Sequence, residues 1–97
     1  MEICDYGKIE LGPQEMVSFR SASGKECDFA AYSWGFYVAP SLNDRLKQQG
    51  FKAALVLNVS GKIFINVVEK EKLAEFQAYL VGQKSRVLSW LDEWSEV

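Results

Sequence analysis

Tyr32, Trp34, Phe36 and Tyr37 crowd four aromatic side chains into one short stretch, Ala31-Tyr-Ser-Trp-Gly-Phe-Tyr-Val-Ala-Pro40. Rings that carry a polar handle can stack on an apolar, aromatic or cationic group, and Tyr and Trp dominate protein-binding hot spots. Arg45 and Lys47 follow on the next element and could meet an anionic group. The same rings could instead seal the sheet where the chain bends at Gly35, and sequence leaves both uses open. These six residues are the expected ligand- or partner-binding set.

The other reactive side chains do not assemble. The chain has no histidine, which removes the usual base at neutral pH and both the Ser-His and Cys-His nucleophile pairs. Cys27 stands beside Asp28, but neighbours on a strand point to opposite faces, and a nearby acid raises a thiol's pKa. Asp5, Glu10 and Asp28 show no spacing that selects a carboxylate pair. Two lone cysteines give no zinc or copper ligand set, so no metal is expected. Glycine-rich phosphate loops are absent, and Ser21-Ala-Ser-Gly-Lys25 reads as a hairpin turn. The expectation is a non-catalytic protein without cofactors.

Composition is that of an ordinary globular chain. Its 97 residues are 48% apolar and 25% charged, enough for one domain spanning 1–97 with one modest core. The charge is uneven: residues 31–62 hold one acid and four bases, and the flanking segments are acidic, giving −2 overall. Four scattered bases are a weak footprint for a polyanion, so nucleic acid is disfavoured as a partner. No apolar run approaches the ~20 residues that span a bilayer, and no secretory leader is expected. Reduced, unpaired Cys4 and Cys27 fit a cytoplasmic protein.

These side chains need a scaffold. Three strands are expected over about 2–10, 15–21 and 26–33, then a short helix opened by Ser41 and closed at Gly50. Ala53-Ala-Leu-Val-Leu57 is nearly continuous apolar, the mark of a strand covered on both faces. A two-residue Ser60-Gly61 loop would return it through Ile63-Phe64-Ile65, setting Asn58 opposite Ile63 and Asn66 opposite Leu55.

In the last third Leu73, Phe76, Leu80, Gln83, Val87, Trp90, Trp94 and Val97 step alternately by three and four. That phase predicts a helix over about 69–96, with a break near 82–85 as the alternative. Such a helix would be about 42 Å long and would overhang the body. A second copy is the expected cover, through Val87, Trp90, Leu91 and Trp94.

The expected fold is therefore α+β in the order βββαββα: one antiparallel sheet of about five strands, a short helix after strand three and a long C-terminal helix on one face. The expected function is a binding or interaction module that forms a homodimer or takes a protein partner. The alternative is a binder of a small apolar or aromatic ligand at 32–37, and an enzyme using carboxylates or tyrosine comes third.

Overall fold

β4, Phe51–Leu57, lies at the centre of the chain's packing. It has β5 (Ile63–Glu69) on one edge and β6 (Arg86–Trp90) on the other, both antiparallel. The computed structural model describes residues 2–94. A second antiparallel sheet holds β1 (Met16–Arg20), β2 (Glu26–Tyr32) and β3 (Gly35–Val38) in that order. Helix α1 (Arg45–Gln48) joins the sheets, and α2 (Leu73–Gln83) follows β5 through a 3-10 turn at Lys70–Lys72. The α+β class is as expected. The single five-stranded sheet is not: β4 has no free edge for β3, so the chain builds two three-stranded sheets. Among the described residues no helix is long and apolar enough to cross a membrane.

The apolar character of β4 has the use its sequence implies. On one face Phe51 and Ala53 pack with Leu46 of α1, joined by Cys27 from β2 and by Leu91. On the other, Ala54 and Val56 pack with Leu80 of α2, and Phe76, Val87 and Trp90 close around them. The first cluster spans both sheets. Polar contacts reinforce that junction: Lys25 pairs with Glu71 at 2.5 Å, Arg45 with Asp28 at 3.2 Å, and the Ser23 hydroxyl donates to Glu69.

Residues 2–10 are extended in pattern yet form no strand; they are exposed throughout. Alternation supplies a face but no partner strand, and among the described residues the first backbone bond to another strand is at Gln14, whose N–H donates to the Ala31 carbonyl at 2.8 Å. The short helix begins later than Ser41, at Arg45 with Asp44 in the N-cap position and no side-chain cap there; the Ser41 hydroxyl, in the turn before it, accepts the Arg45 N–H at 3.0 Å. Gly50 takes the left-handed φ of +86° that closes the element and returns the chain into β4.

The β4–β5 hairpin is one residue out of the expected register, pairing Asn66 with Ala54 and Ile63 with Leu57. Asn58 explains the shift. Its side-chain oxygen accepts the N–H groups of Ser60 and Lys62 at 3.0 and 2.9 Å, which makes a longer loop than Ser60-Gly61 alone. A one-residue slip exchanges every side chain between faces.

The largest departure is in the last third. The long helix is not formed: α2 stops at Gln83, Lys84 turns left-handed at φ 55°, and the chain returns as β6. A bulge explains why strand residues mimic a helical stripe. Val56 pairs with Val87 and Leu55 with Ser89, so Leu88 is the extra residue and Val87 and Trp90 share the α2-facing side. Val97 lies outside the described residues.

The acids that would burden a helix end act here as a clamp. After Trp90 the chain makes a 3-10 turn, Leu91–Glu93, and buries Asp92 to 1% exposure. Asp92 accepts the Ala53 N–H at 3.0 Å and the Lys52 ammonium at 2.9 Å. Lys52 also donates to Glu93 at 2.8 Å and lies 4.9 Å from the Trp90 ring centroid. Burial pushes the Asp92 carboxyl up, but the Ala53 N–H and Lys52 outweigh it and hold the group below its ordinary value.

Because the folded-state value is depressed, this contribution is complete above the unfolded carboxylate range, near pH ~4, and is lost as pH falls through the folded value. Asp92→Asn is expected to cost about 3 kcal/mol in urea denaturation at pH 7 and to flatten the acid limb of stability against pH. Lys84→Gly, which relieves the left-handed strain, is expected to raise stability by roughly 0.5–1 kcal/mol in the same assay.

Candidate functional site

The β2–β3 hairpin carries the aromatic segment out of the core. Tyr32 pairs directly with Gly35, whose φ of +142° suits the tight turn at Ser33-Trp34. Tyr32 and Trp34 stack with ring centroids 5.4 Å apart and planes 4° from parallel, and Tyr37 stands 5.5 Å from Tyr32. Trp34 is 70% and Phe36 69% exposed, so these rings do not seal the sheet. Pairing Phe36 with Ala31 and Tyr37 with Ala30 sets them on opposite faces. The wall therefore consists of Tyr32, Trp34 and Tyr37, and Phe36 stands behind it.

Tyr37 also begins a second feature. From it the chain runs through Val38, Ala39, Pro40 and Leu42 along one side of an apolar groove of about 380 Å³. Leu46 and Leu91 lie at its inner end, and Ala53, Ile65 and Val67 form its floor. This is the face of the second sheet away from α2. Cover reaches only its Phe51–Ala53 end, leaving Ile65 64% exposed.

The expected site residues are thus divided. Arg45 is committed to Asp28, both terminal guanidinium nitrogens lying 3.2 Å from one carboxylate oxygen. Lys47 opens on a separate cleft of about 210 Å³ beside Lys52 and Asp92. Among the residues expected at a dimer seam, Val87 and Trp90 pack on α2 of their own chain and Leu91 on α1 and β4. Trp94 remains 70% exposed. Leu42, Ile65 and Val67 escaped the sequence reading. Ile63, Ile65 and Val67 do fall on one face of a strand by alternation, but alternation does not say which face of the sheet stays uncovered, and Leu42 has no periodic signal.

Electrostatics argue against nucleophilic chemistry at the junction. Burial raises the Cys27 thiol, the Asp28 carboxylate raises it further, and Arg45 only partly opposes them. Asp28 itself is held below its ordinary value by the Ser18 hydroxyl at 2.5 Å, aided by Arg45. The Tyr32 phenol is pushed up by its neighbour Tyr37. Cys4 and Cys27 are not joined in a disulfide. Among the described residues no group of three or more His, Cys, Asp or Glu side chains could hold a metal ion. The arrangement offers apolar and aromatic contact, with the Tyr32 phenol and the Cys27 thiol both pushed toward their protonated forms.

No protein-family model matches the chain, and no curated protein or solved structure matches it either.

Alkylation by iodoacetamide at pH 7, followed by mass spectrometry, should modify exposed Cys4 at least ~10-fold faster than Cys27, whose thiol stays protonated. Equal rates would show that the Cys27 environment is open.

Proposed function

We propose that this protein is a non-catalytic interaction module that holds an apolar segment of a partner protein in the groove between Tyr37–Leu42 and the β4–β5 face. The supporting observation is the uncovered floor, with Ile65 and Val67 exposed beside Tyr37 and Leu42. A contiguous apolar patch of this kind is the usual mark of an interaction surface. Tyr37 supplies the aromatic anchor such sites favour, and the Tyr32–Trp34 stack extends the contact beyond the groove. An inhibitor or a regulatory subunit would use such a surface. Two unpaired thiols favour a reducing compartment, the cytoplasm.

A second reading rests on size. About 380 Å³ falls in the range of small-molecule pockets, ~300–1,000 Å³, so a small apolar or aromatic ligand would also fit.

Selection of displayed twelve-residue peptides against the full chain separates the two. The partner-segment reading expects peptides with two or more apolar anchors, weakened at least ~10-fold by Leu42→Asp and less by Trp34→Ala. Failure to select any peptide, together with saturable binding of aromatic fragments, would transfer the site to the small-ligand reading. Peptide binding indifferent to Leu42→Asp would remove the groove from both.

A further inference from the structure

The outer edge of β5 is open, and we infer that it pairs with β5 of a second copy of this chain, in antiparallel fashion about a two-fold axis at Ile65.

The backbone pattern shows which groups are available. At the two ends of the β4–β5 ladder, the Asn58 N–H donates to the Lys62 carbonyl at 2.9 Å and the Lys70 N–H to the Gly50 carbonyl at 2.8 Å. The register between them is unbroken. Alternation along an antiparallel pair then turns Phe64, Asn66 and Val68 toward β4. Ile63, Ile65 and Val67 present their N–H and C=O groups outward, and among the described residues β5 has no strand beyond it.

This edge differs from the others among the described strands. β1 ends in Arg20, β3 has only four residues, and β6 starts at Arg86 and carries a bulge; charges, brevity and bulges all discourage edge pairing. β5 also ends in a charge, Glu69, but it has neither the brevity of β3 nor the bulge of β6, and its uncharged run is longer than that of β1. It is seven residues long without a bulge, and Ile63 through Val68 carry no charge. Ile63 is 58% and Phe64 50% exposed on its two faces.

A second copy suits this edge better than an arbitrary strand because β5 complements itself. With Ile65 on the axis, Ile63 of one copy faces Val67 of the other, and Ile65 faces Ile65. These outward-bonding pairs exchange N–H···O=C bonds in both directions. Their side chains lie on the face that carries Leu55 and Leu57, so two small apolar faces become one. No like charges come directly opposite at either end, because Lys62 of each copy faces Val68 of the other and Glu69 faces Gly61. Lys70 has already left the strand in its 3-10 turn. The product is a six-stranded sheet, β6-β4-β5-β5-β4-β6. A two-strand contact is smaller than the ~800 Å² per partner of a standard interface, so the expected association is weak, with a Kd on the order of 10 μM or above.

Sedimentation of the full chain from ~1 μM to ~1 mM, with residue-resolved amide exchange at both limits, tests the inference. The expected result is a monomer–dimer equilibrium in which the amides of Ile63, Ile65 and Val67 gain protection at least ~10-fold with concentration. Those of Phe64, Asn66 and Val68 should be protected throughout. Ile65→Lys, which sets two ammonium groups on the axis, should weaken dimerisation at least ~10-fold and keep the even-numbered amides protected. Val81→Lys on α2 should change nothing. A chain monomeric at ~1 mM would overturn the inference, as would a dimer whose odd-numbered amides stay unprotected. So would association indifferent to Ile65→Lys, including association lost only when Ile3 and Ile9 of the exposed N-terminal segment become serine.

Discussion

β4 is saturated. Both its edges bond to other strands, one face is packed by α2 and the other at its Phe51–Ala53 end, and most of the architecture follows from that condition. A strand with no polar side chain except Lys52 can be buried only if every backbone N–H and C=O finds a partner. β5 and β6 supply most of them. Where β6 ends at Trp90, the Asp92 carboxylate takes the Ala53 N–H in place of another strand residue. Lys52, the one charge on β4, is met there by Asp92 and Glu93. One acidic turn thus closes the ladder, neutralises the lysine and holds the chain against β4 after Trp90.

The same condition decides what is left uncovered. α2 lies on one side of the second sheet, and the short α1 reaches only one end of the other side. The first sheet attaches through Cys27, Arg45 and Lys25 at that same end. Leu55, Leu57 and the odd-numbered residues of β5 therefore have no further element of the described chain above them. Tyr37 and Leu42 border that surface because Ala39-Pro40 carries the chain from one sheet to the other. The aromatic wall and the apolar groove are joined by covalent necessity.

Much of this was legible in the residues. The run Ala53–Leu57 announced a central apolar strand, although Leu55 and Leu57 are covered on one side only; Ser41 announced a helix just ahead of its start, and Gly50 its end. The exposed aromatic hairpin was visible as a cluster, although composition could not say which way its rings faced. What misled was spacing. Val87 and Trp90 stand three apart, as on a helix, because a bulge at Leu88 returns them to one face of a strand; a bulge has no signature in hydrophobic periodicity. The turn at Lys84 was hidden for a related reason, since a lysine occupies the left-handed position where glycine is usual. Asn58 held a longer loop than Ser60-Gly61 suggested, which moved the register by one. Arg45 was read as open to a ligand because its partner, Asp28, is remote in sequence.

Backbone chemical shifts across residues 73–94 test most directly whether the last third turns back onto β4. Helical Cα shifts should stop at Gln83 and give way to strand values over Arg86–Trp90, with contacts from Trp90 to Phe76 and from Leu91 to the Leu46–Phe51–Ala53 cluster. Helical shifts running unbroken through Trp94 would contradict it: β4 would lose a neighbour, Asp92 its place, and the described groove its inner end at Leu91.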